Sequence, residues 1–345
     1  MKTIFVGTNK GLFRLKEGQN GSWENTLYNK GQSVFSIGGD VKKIWAAPFT
    51  EWTGTNLLYS TDLGETWVDT EKNLLFPEKT EKALAKIWQI VADRENGRLF
   101  AGVEPAALFV SEDDGESWQL CEGLFNHPHC AQWGPGFGGL CLHTVMILDK
   151  NTWVIGISTG GVYRTEDGGK TWEASNSKIL APFLPEPDAE FGQCVHKIAK
   201  DPENPSNMIL QHHWGVYRSK DAGKNWVNVG EGKLPSDFGF ACTMNKKDQA
   251  FIIPIEADVF RCFPEGKLRV YRTIDSGETF TPLANGLPQK DVFDSVLRDC
   301  LDSSGDNVCF GTSGGKVYLS ENDGENWTMV ADNLPRITCV RIFES

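Results

Sequence analysis

No stretch of this chain is apolar for the roughly 20 residues that a helical membrane span needs, which excludes that kind of anchoring. Clusters of lysine or arginine are missing too. With 46 acidic against 34 basic residues the formal charge is -12, a balance that opposes nucleic acid or an anionic membrane as partner. Cysteine is present but sparse: nine residues, an odd number, lie between 121 and 339 without the dense spacing of a secreted disulfide scaffold. Reduced thiols in a cytoplasm are therefore expected. There is no Walker loop, no dinucleotide-type glycine motif opening a helix, and no Gly-x-Ser-x-Gly elbow. Met1-Lys2-Thr3 resembles the start of a signal peptide, but the turn residues at 7–10 come before any apolar region develops, so this segment reads as a first strand. What remains is a soluble chain of 345 residues, 40% hydrophobic, with a small-molecule ligand expected and a protein partner open.

What the chain does have is a repeat. The pattern Ser/Thr-x-Asp-x-Gly-x-x-aromatic occurs at 60–67, 111–118, 165–172, 219–226 and 273–280, and at 320–327 with Asn322 in the Asp place. The steps between the third positions are 51, 54, 54, 54 and 47 residues, a period that means a propeller or solenoid. In each copy the Asp is expected to cap N–H groups two residues on, the Gly to supply a positive φ, and the aromatic residue to pack as the next strand begins. Each copy is thus a hairpin turn between the third and fourth strands of a four-stranded unit. Residues 87–92, 98–103, 108–111 and 118–121 show one complete unit.

The first unit starts at its second strand, residues 3–7, and the chain ends on one surplus strand, 337–343. Pairing the two gives a single all-β domain over 1–345: a seven-bladed β-propeller whose ring is closed by both chain ends in one blade. Helix is expected only within 76–86.

The six turns resemble the BNR or Asp-box repeats of sialidases, sortilin-type receptors and photosystem assembly factors. The runs 133–143, 190–196 and 234–240 are similar, more narrowly, to cytoplasmic BNR-like propellers described as glycosyl hydrolases or exo-sialidases. The resemblance implies the propeller fold and, less directly, action on carbohydrate. True sialidase activity is not expected. Phe13-Arg14-Leu15-Lys16 is the sole lookalike of the sialidase Phe-Arg-Ile-Pro motif, its Arg sits in the same register as Arg164 and Arg218, and sialidase propellers typically have six blades.

Function is expected on the face opposite the six turns, where the connections are long and unequal: 71–86, 122–139, 174–193, 48–55 and 257–267. All six histidines fall between 127 and 213. Cys141-Leu142-His143 and Cys194-Val195-His196 occupy equivalent places in neighbouring blades, and alternation along a strand sets each Cys and His on one side. If that side lines the channel, the two thiols and two imidazoles converge there with at least one of His212 and His213, and His143, His196 and His212 could hold a divalent metal such as zinc. Otherwise the thiols pack as small hydrophobes and the imidazoles pair with carbonyls or water.

Candidate catalytic residues are His143, His196, His212, Glu256 and Arg298. Arg298 could hold a substrate carboxylate, or pair instead with Asp294 or Asp299. Candidate ligand-binding residues are Trp88, Glu104, Trp133, Glu190, Gln193 and His213, the tryptophans as stacking platforms or loop anchors. Asp237, Asp258 and Asp294 are further carboxylates of this face. Two functional classes follow: an enzyme, hydrolase- or lyase-like, acting on a small polar ligand, such as a carbohydrate, at the channel mouth, or a noncatalytic scaffold binding a protein or small ligand on its loop face.

Overall fold

Short apolar strands separated by tight turns, with too few residues for helices between them, must pair antiparallel with their neighbours in sequence. They do so seven times. The computed structural model describes residues 2–70, 74–245, 248–257 and 259–344. It shows a seven-bladed β-propeller, each blade an antiparallel sheet of four strands, blade 2 carrying the extra pair Gly54–Thr55. Blade 1 joins Ile337–Glu344, Lys2–Thr8, Gly11–Glu17 and Trp23–Tyr28. The two chain ends meet antiparallel, Val6 opposite Val340, so the ring closes as the strand arithmetic requires.

The inner strands stand around the channel in chain order: Ser33–Asp40, Lys86–Asp93, Leu142–Ile147, Val195–Lys200, Gly239–Met244, Leu301–Ser304 and Ile337–Glu344. Apolar side chains fill the seams between blades. Trp45, Phe100, Tyr163, Tyr217, Trp226 and Phe310 are fully buried there, each contributing on the order of 1.5–3 kcal/mol by burial. Polar side chains stitch the same seams: Val145 N–H donates to Gln89 Oε1 at 2.5 Å, joining blades 3 and 4.

The repeated turn works somewhat differently from the expectation. The carboxylate of Asp62 reaches four residues on, accepting from the N–H of Thr66 at 2.9 Å and its hydroxyl at 2.6 Å, while Ser60 Oγ receives the N–H of Gly64 at 2.8 Å. Position seven is therefore not free: Thr66, Ser117, Thr171, Asn225 and Thr279 each donate a side-chain hydrogen bond to their Asp. Glycine at position five is needed twice over. Gly64 has φ 78°, and a Cβ there would lie 2.5 Å from the Phe5 ring of the preceding blade.

Helix lies elsewhere than expected. Within 76–86 there is only the 3₁₀ turn Glu78–Thr80, closed by Glu81 at φ 52°. Short helical turns form instead at Glu122–Phe125 and Pro128–Gln132, in the long connection entering blade 4.

Candidate functional site at the channel mouth

The inner strands do not alternate cleanly where they start. A register shift falls between Leu142 and Thr144 in blade 4 and between Val195 and Lys197 in blade 5, so the residue displaced in each case is the histidine of the Cys-x-His triplet. The bulge sends each imidazole into the seam with the next blade. His143 Nε2 donates to the Val195 carbonyl at 2.9 Å and its Nδ1 accepts from Thr144 Oγ1 at 3.0 Å, so both ring nitrogens are engaged. His196 takes the opposite tautomer. Its Nδ1–H donates to the Gly239 carbonyl at 2.6 Å, and its bare Nε2 lies 3.6 Å from Cys194 Sγ. Burial first, and the Arg298 guanidinium second, push both imidazoles well below the usual histidine range, so both are neutral.

His212 joins neither. It is fully buried near Trp214 and Tyr217, its Nδ1 accepting from the Trp214 N–H at 3.1 Å, and burial lowers it to about 3. The expected meeting of His143 and His196 with His212 or His213 is built only in part, because the bulges aim His143 and His196 into successive seams and His212 faces its own blade. His213 is brought in instead. Its ring centroid lies 5.3 Å from that of His196, and the ligand atoms of Cys194, His196 and His213 all fall within 4.8 Å of one another.

Arg298 comes from the turn before the blade 7 inner strand. Its guanidinium lies over the Trp88 ring, 5.3 Å from the centroid, and Nη1 reaches Cys141 Sγ at 3.6 Å. Among the described residues no carboxylate pairs with it, and its Nε is buried without a partner. Both alternatives open in the sequence are occupied elsewhere. Asp294 accepts from Ser295 N–H at 2.7 Å and Gly314 N–H at 2.8 Å as well as from Ser313 Oγ, and Asp299 is held by Lys197 and Arg341. Glu104, at the blade 3 turn, completes this side: Trp88 Nε1–H donates to its Oε2 at 3.0 Å, with Lys86 Nζ 3.8 Å away.

The remaining candidates divide. Trp133 is buried and donates to the Tyr163 hydroxyl at 3.0 Å, an anchor for its loop rather than an open platform. Glu190 is exposed, 3.9 Å from His129, and Gln193 is buried with Nε2 on the Ala189 carbonyl at 2.5 Å and Oε1 unpartnered. Glu256 follows the second strand of blade 6 on the same face, Asp237 is exposed there, and Asp258 lies outside the described residues. The rim carries exposed aromatic side chains: Trp52, Phe137, Phe183, Trp214, Phe260 and Phe293.

Sequence reasoning missed the charges inside the channel. Lys197 and Arg341 both pair with the buried carboxylate of Asp299, the latter at 3.2 Å, and Asp302 accepts the Ile342 N–H at 2.9 Å. Below them a cavity of about 440 Å³, lined by Asp40, Gln89, Asp302, Ser303, Arg341 and Glu344 among others, opens toward the face of the repeated turns. A charged residue at a channel-facing place of an otherwise apolar inner strand was the available signal.

No family model matches the chain. It is 26% identical over 219 residues to the oligoxyloglucan-reducing end-specific xyloglucanase of Emericella nidulans, and 21% identical over 224 residues to a probable enzyme of the same description from Neosartorya fischeri. Each alignment takes in 54% of this chain and spans only 26% of the relative's length. Among solved structures, the GH74 xyloglucanase from Xanthomonas campestris superposes with a TM-score of 0.62 at 15% identity, over 96% of this chain and 52% of that one. YCF48 bound to D1 peptide gives 0.57 at 14% identity, over 86% and 82%. These structural likenesses show the fold.

Proposed function

We propose that this propeller binds and hydrolyses a saccharide bearing an acidic group at the mouth of its channel. The observation that carries the reading is Arg298: a guanidinium held rigid over Trp88, in a half-buried setting, with no carboxylate of the described residues to neutralise it. Such a cation is stabilised when an anionic ligand supplies the missing partner, and its fork geometry suits a carboxylate. Glu104, oriented by Trp88 and Lys86, is the carboxylate placed beside it for proton transfer to the leaving oxygen, and Glu256 is the second carboxylate that glycoside cleavage calls for. The similarity to curated xyloglucanases supports a carbohydrate substrate, and the aromatic rim offers flat apolar faces of the kind sugars stack on. All nine cysteines are free, which supports a reducing compartment and so a cytoplasmic location. The reading is tested by calorimetric titration with uronate-containing and neutral oligosaccharides of equal length, followed by a reducing-end release assay. Preferential binding and release with the acidic series is expected; equal or absent binding in both series overturns it.

A second reading rests on the rim alone. Phe183 and Trp214 stack on one another, centroids 4.8 Å apart, while both stay exposed, a pairing suited to a protein or peptide partner. The structural neighbour YCF48, bound to D1 peptide, is in keeping with it. Arg298→Met with Trp214→Ala separates the two readings: loss of saccharide affinity with Arg298→Met supports the first, and loss of a peptide or protein partner with Trp214→Ala while Arg298→Met retains it supports the second.

A further inference from the structure

We propose that Cys194, His196 and His213 form a zinc-binding site at the channel mouth of blade 5, with one coordination position left open to solvent. The inference concerns blade 5, two blades on from the blade that carries Glu104, and does not depend on a saccharide being the ligand.

Geometry carries it. With Zn–S near 2.3 Å and Zn–N of about 2.0–2.1 Å, the sulfur-to-nitrogen edge of a tetrahedral site is about 3.6 Å. Cys194 Sγ and His196 Nε2 stand 3.6 Å apart. The ligand atom of His213 is within 4.8 Å of both, so a shift of roughly 1 Å at an imidazole on a surface turn closes the third edge.

The tautomer agrees. Metal-bound histidines usually donate their second ring N–H to a carbonyl or carboxylate, which fixes the ring and leaves the ligating nitrogen bare. His196 is already so held, by the Gly239 carbonyl at 2.6 Å. Packing holds the rings in place: Phe238 and Phe240 lie 5.3 and 4.8 Å from His196, and Trp214 and Phe238 lie 4.0 and 4.8 Å from His213.

Blade 4 provides an internal control. It carries the same Cys-x-His triplet, yet His143 has both nitrogens engaged and Cys141 faces Arg298. At the turn matching His213 it has Ser158, Thr159 and Gly160. Of the two blades, blade 5 is the one that combines a thiol, a bare imidazole nitrogen and a third donor. A neutral imidazole needs no deprotonation to bind, and the thiol proton leaves to solvent as the thiolate takes the metal. One sulfur and two nitrogens with an open position is the donor set of a zinc site that activates water or polarises a ligand oxygen.

The test uses tag-free protein stripped with chelator and titrated first with Zn²⁺ against a chromophoric competitor, then with Co²⁺. One equivalent of Zn²⁺ should bind at micromolar affinity or tighter, and Co²⁺ should give a thiolate-to-cobalt charge-transfer band. Cys194→Ser should abolish the band, and both it and His213→Ala should weaken Zn²⁺ at least tenfold. Cys262→Ser, removing another thiol of this face, should leave both readouts unchanged. His213 lies on a surface turn, so its variant keeps the test decisive if a change at buried His196 impairs folding. Failure of the wild-type protein to bind one equivalent, or a cobalt spectrum without the band, overturns the proposal, as does a band that survives Cys194→Ser. None of these outcomes bears on Arg298 and acidic saccharides, whose failure would show in the ligand titration instead.

Discussion

The Arg298 guanidinium rests on the face of Trp88, 5.3 Å from the ring centroid, while the indole N–H of Trp88 donates to Glu104 at 3.0 Å. Trp88 therefore holds a cation on its face and an anion at its N–H, and the two charges do not pair with one another. The face expected to stack on a ligand is used to position the arginine, and the specificity of the mouth passes from the aromatic ring to the charge it carries. A cation held off its natural partner is poised for a foreign carboxylate.

Arg298→Met should lower affinity for an acidic oligosaccharide by about 1.5–3 kcal/mol, roughly ten- to a hundredfold, the worth of hydrogen bonds to a charged group. Arg298→Lys should recover only part of this, since an ammonium lacks the planar fork. Because no carboxylate is left unpaired by either change, the melting temperature should move little. Calorimetry on both variants checks this, and unchanged affinity in Arg298→Met would remove the arginine from the site.

The repeated turns make stability depend on acid. Asp62, Asp167 and Asp275 are held at about 2, chiefly by the hydroxyl and N–H of the threonine four residues on, whereas an unfolded Asp titrates near 3.9. The folded value is the lower one. The stabilisation is therefore full above about pH 4 and is lost as pH falls toward 2. Asn322 shows that an amide can fill the place, its Oδ1 accepting from Asn326 N–H at 3.0 Å. Replacing the three aspartates by Asn should flatten the fall in denaturation midpoint between pH 4 and 2. Parallel losses in wild-type and triple variant would show that the turns do not set the acid limit.

How far the sequence reached follows from the range of each signal. The turn residues, the strand missing at one end and the strand surplus at the other are local patterns, so the seven blades and their closure through residues 337–344 were legible. The bulges at His143 and His196 were not, because one extra residue leaves the apolar pattern of the strand intact while turning the side chain. Nor was the freedom of Arg298. It depends on Asp294 being occupied by Ser295, Ser313 and Gly314, and on Asp299 by partners about 100 and 40 residues away in the chain.

Closure can be tested by removing it. Deleting 337–344 leaves the edges of Lys2–Thr8 and the seams to Ser33–Asp40 and Leu301–Ser304 uncovered, exposing Val6, Phe5 and Val34. The shortened chain should melt several degrees lower or self-associate through the opened edge, as exposed strands do. A monomer with an unchanged melting temperature would show that the terminal strand adds nothing to the ring.

The charges inside the channel yield an unequal pair of predictions. Asp299 faces two cations, Lys197 and Arg341, and although burial raises its carboxyl, their combined field outweighs burial and holds it below the usual range. Asp299→Asn removes the ion-pair partner of both cations, leaving only the field of Asp302 near them, and should cost about 3–5 kcal/mol, the usual penalty for breaking a buried pair. Lys197→Met removes one of two cations, and Arg341, 3.2 Å from the carboxylate, still satisfies it, so the loss should be distinctly smaller. Adding Lys197→Met to Asp299→Asn should restore part of the stability, because one stranded cation is then removed. Urea unfolding of the three variants gives the comparison. If Lys197→Met proved as costly as Asp299→Asn, the lysine and not the arginine would be the partner that keeps the buried aspartate ionised.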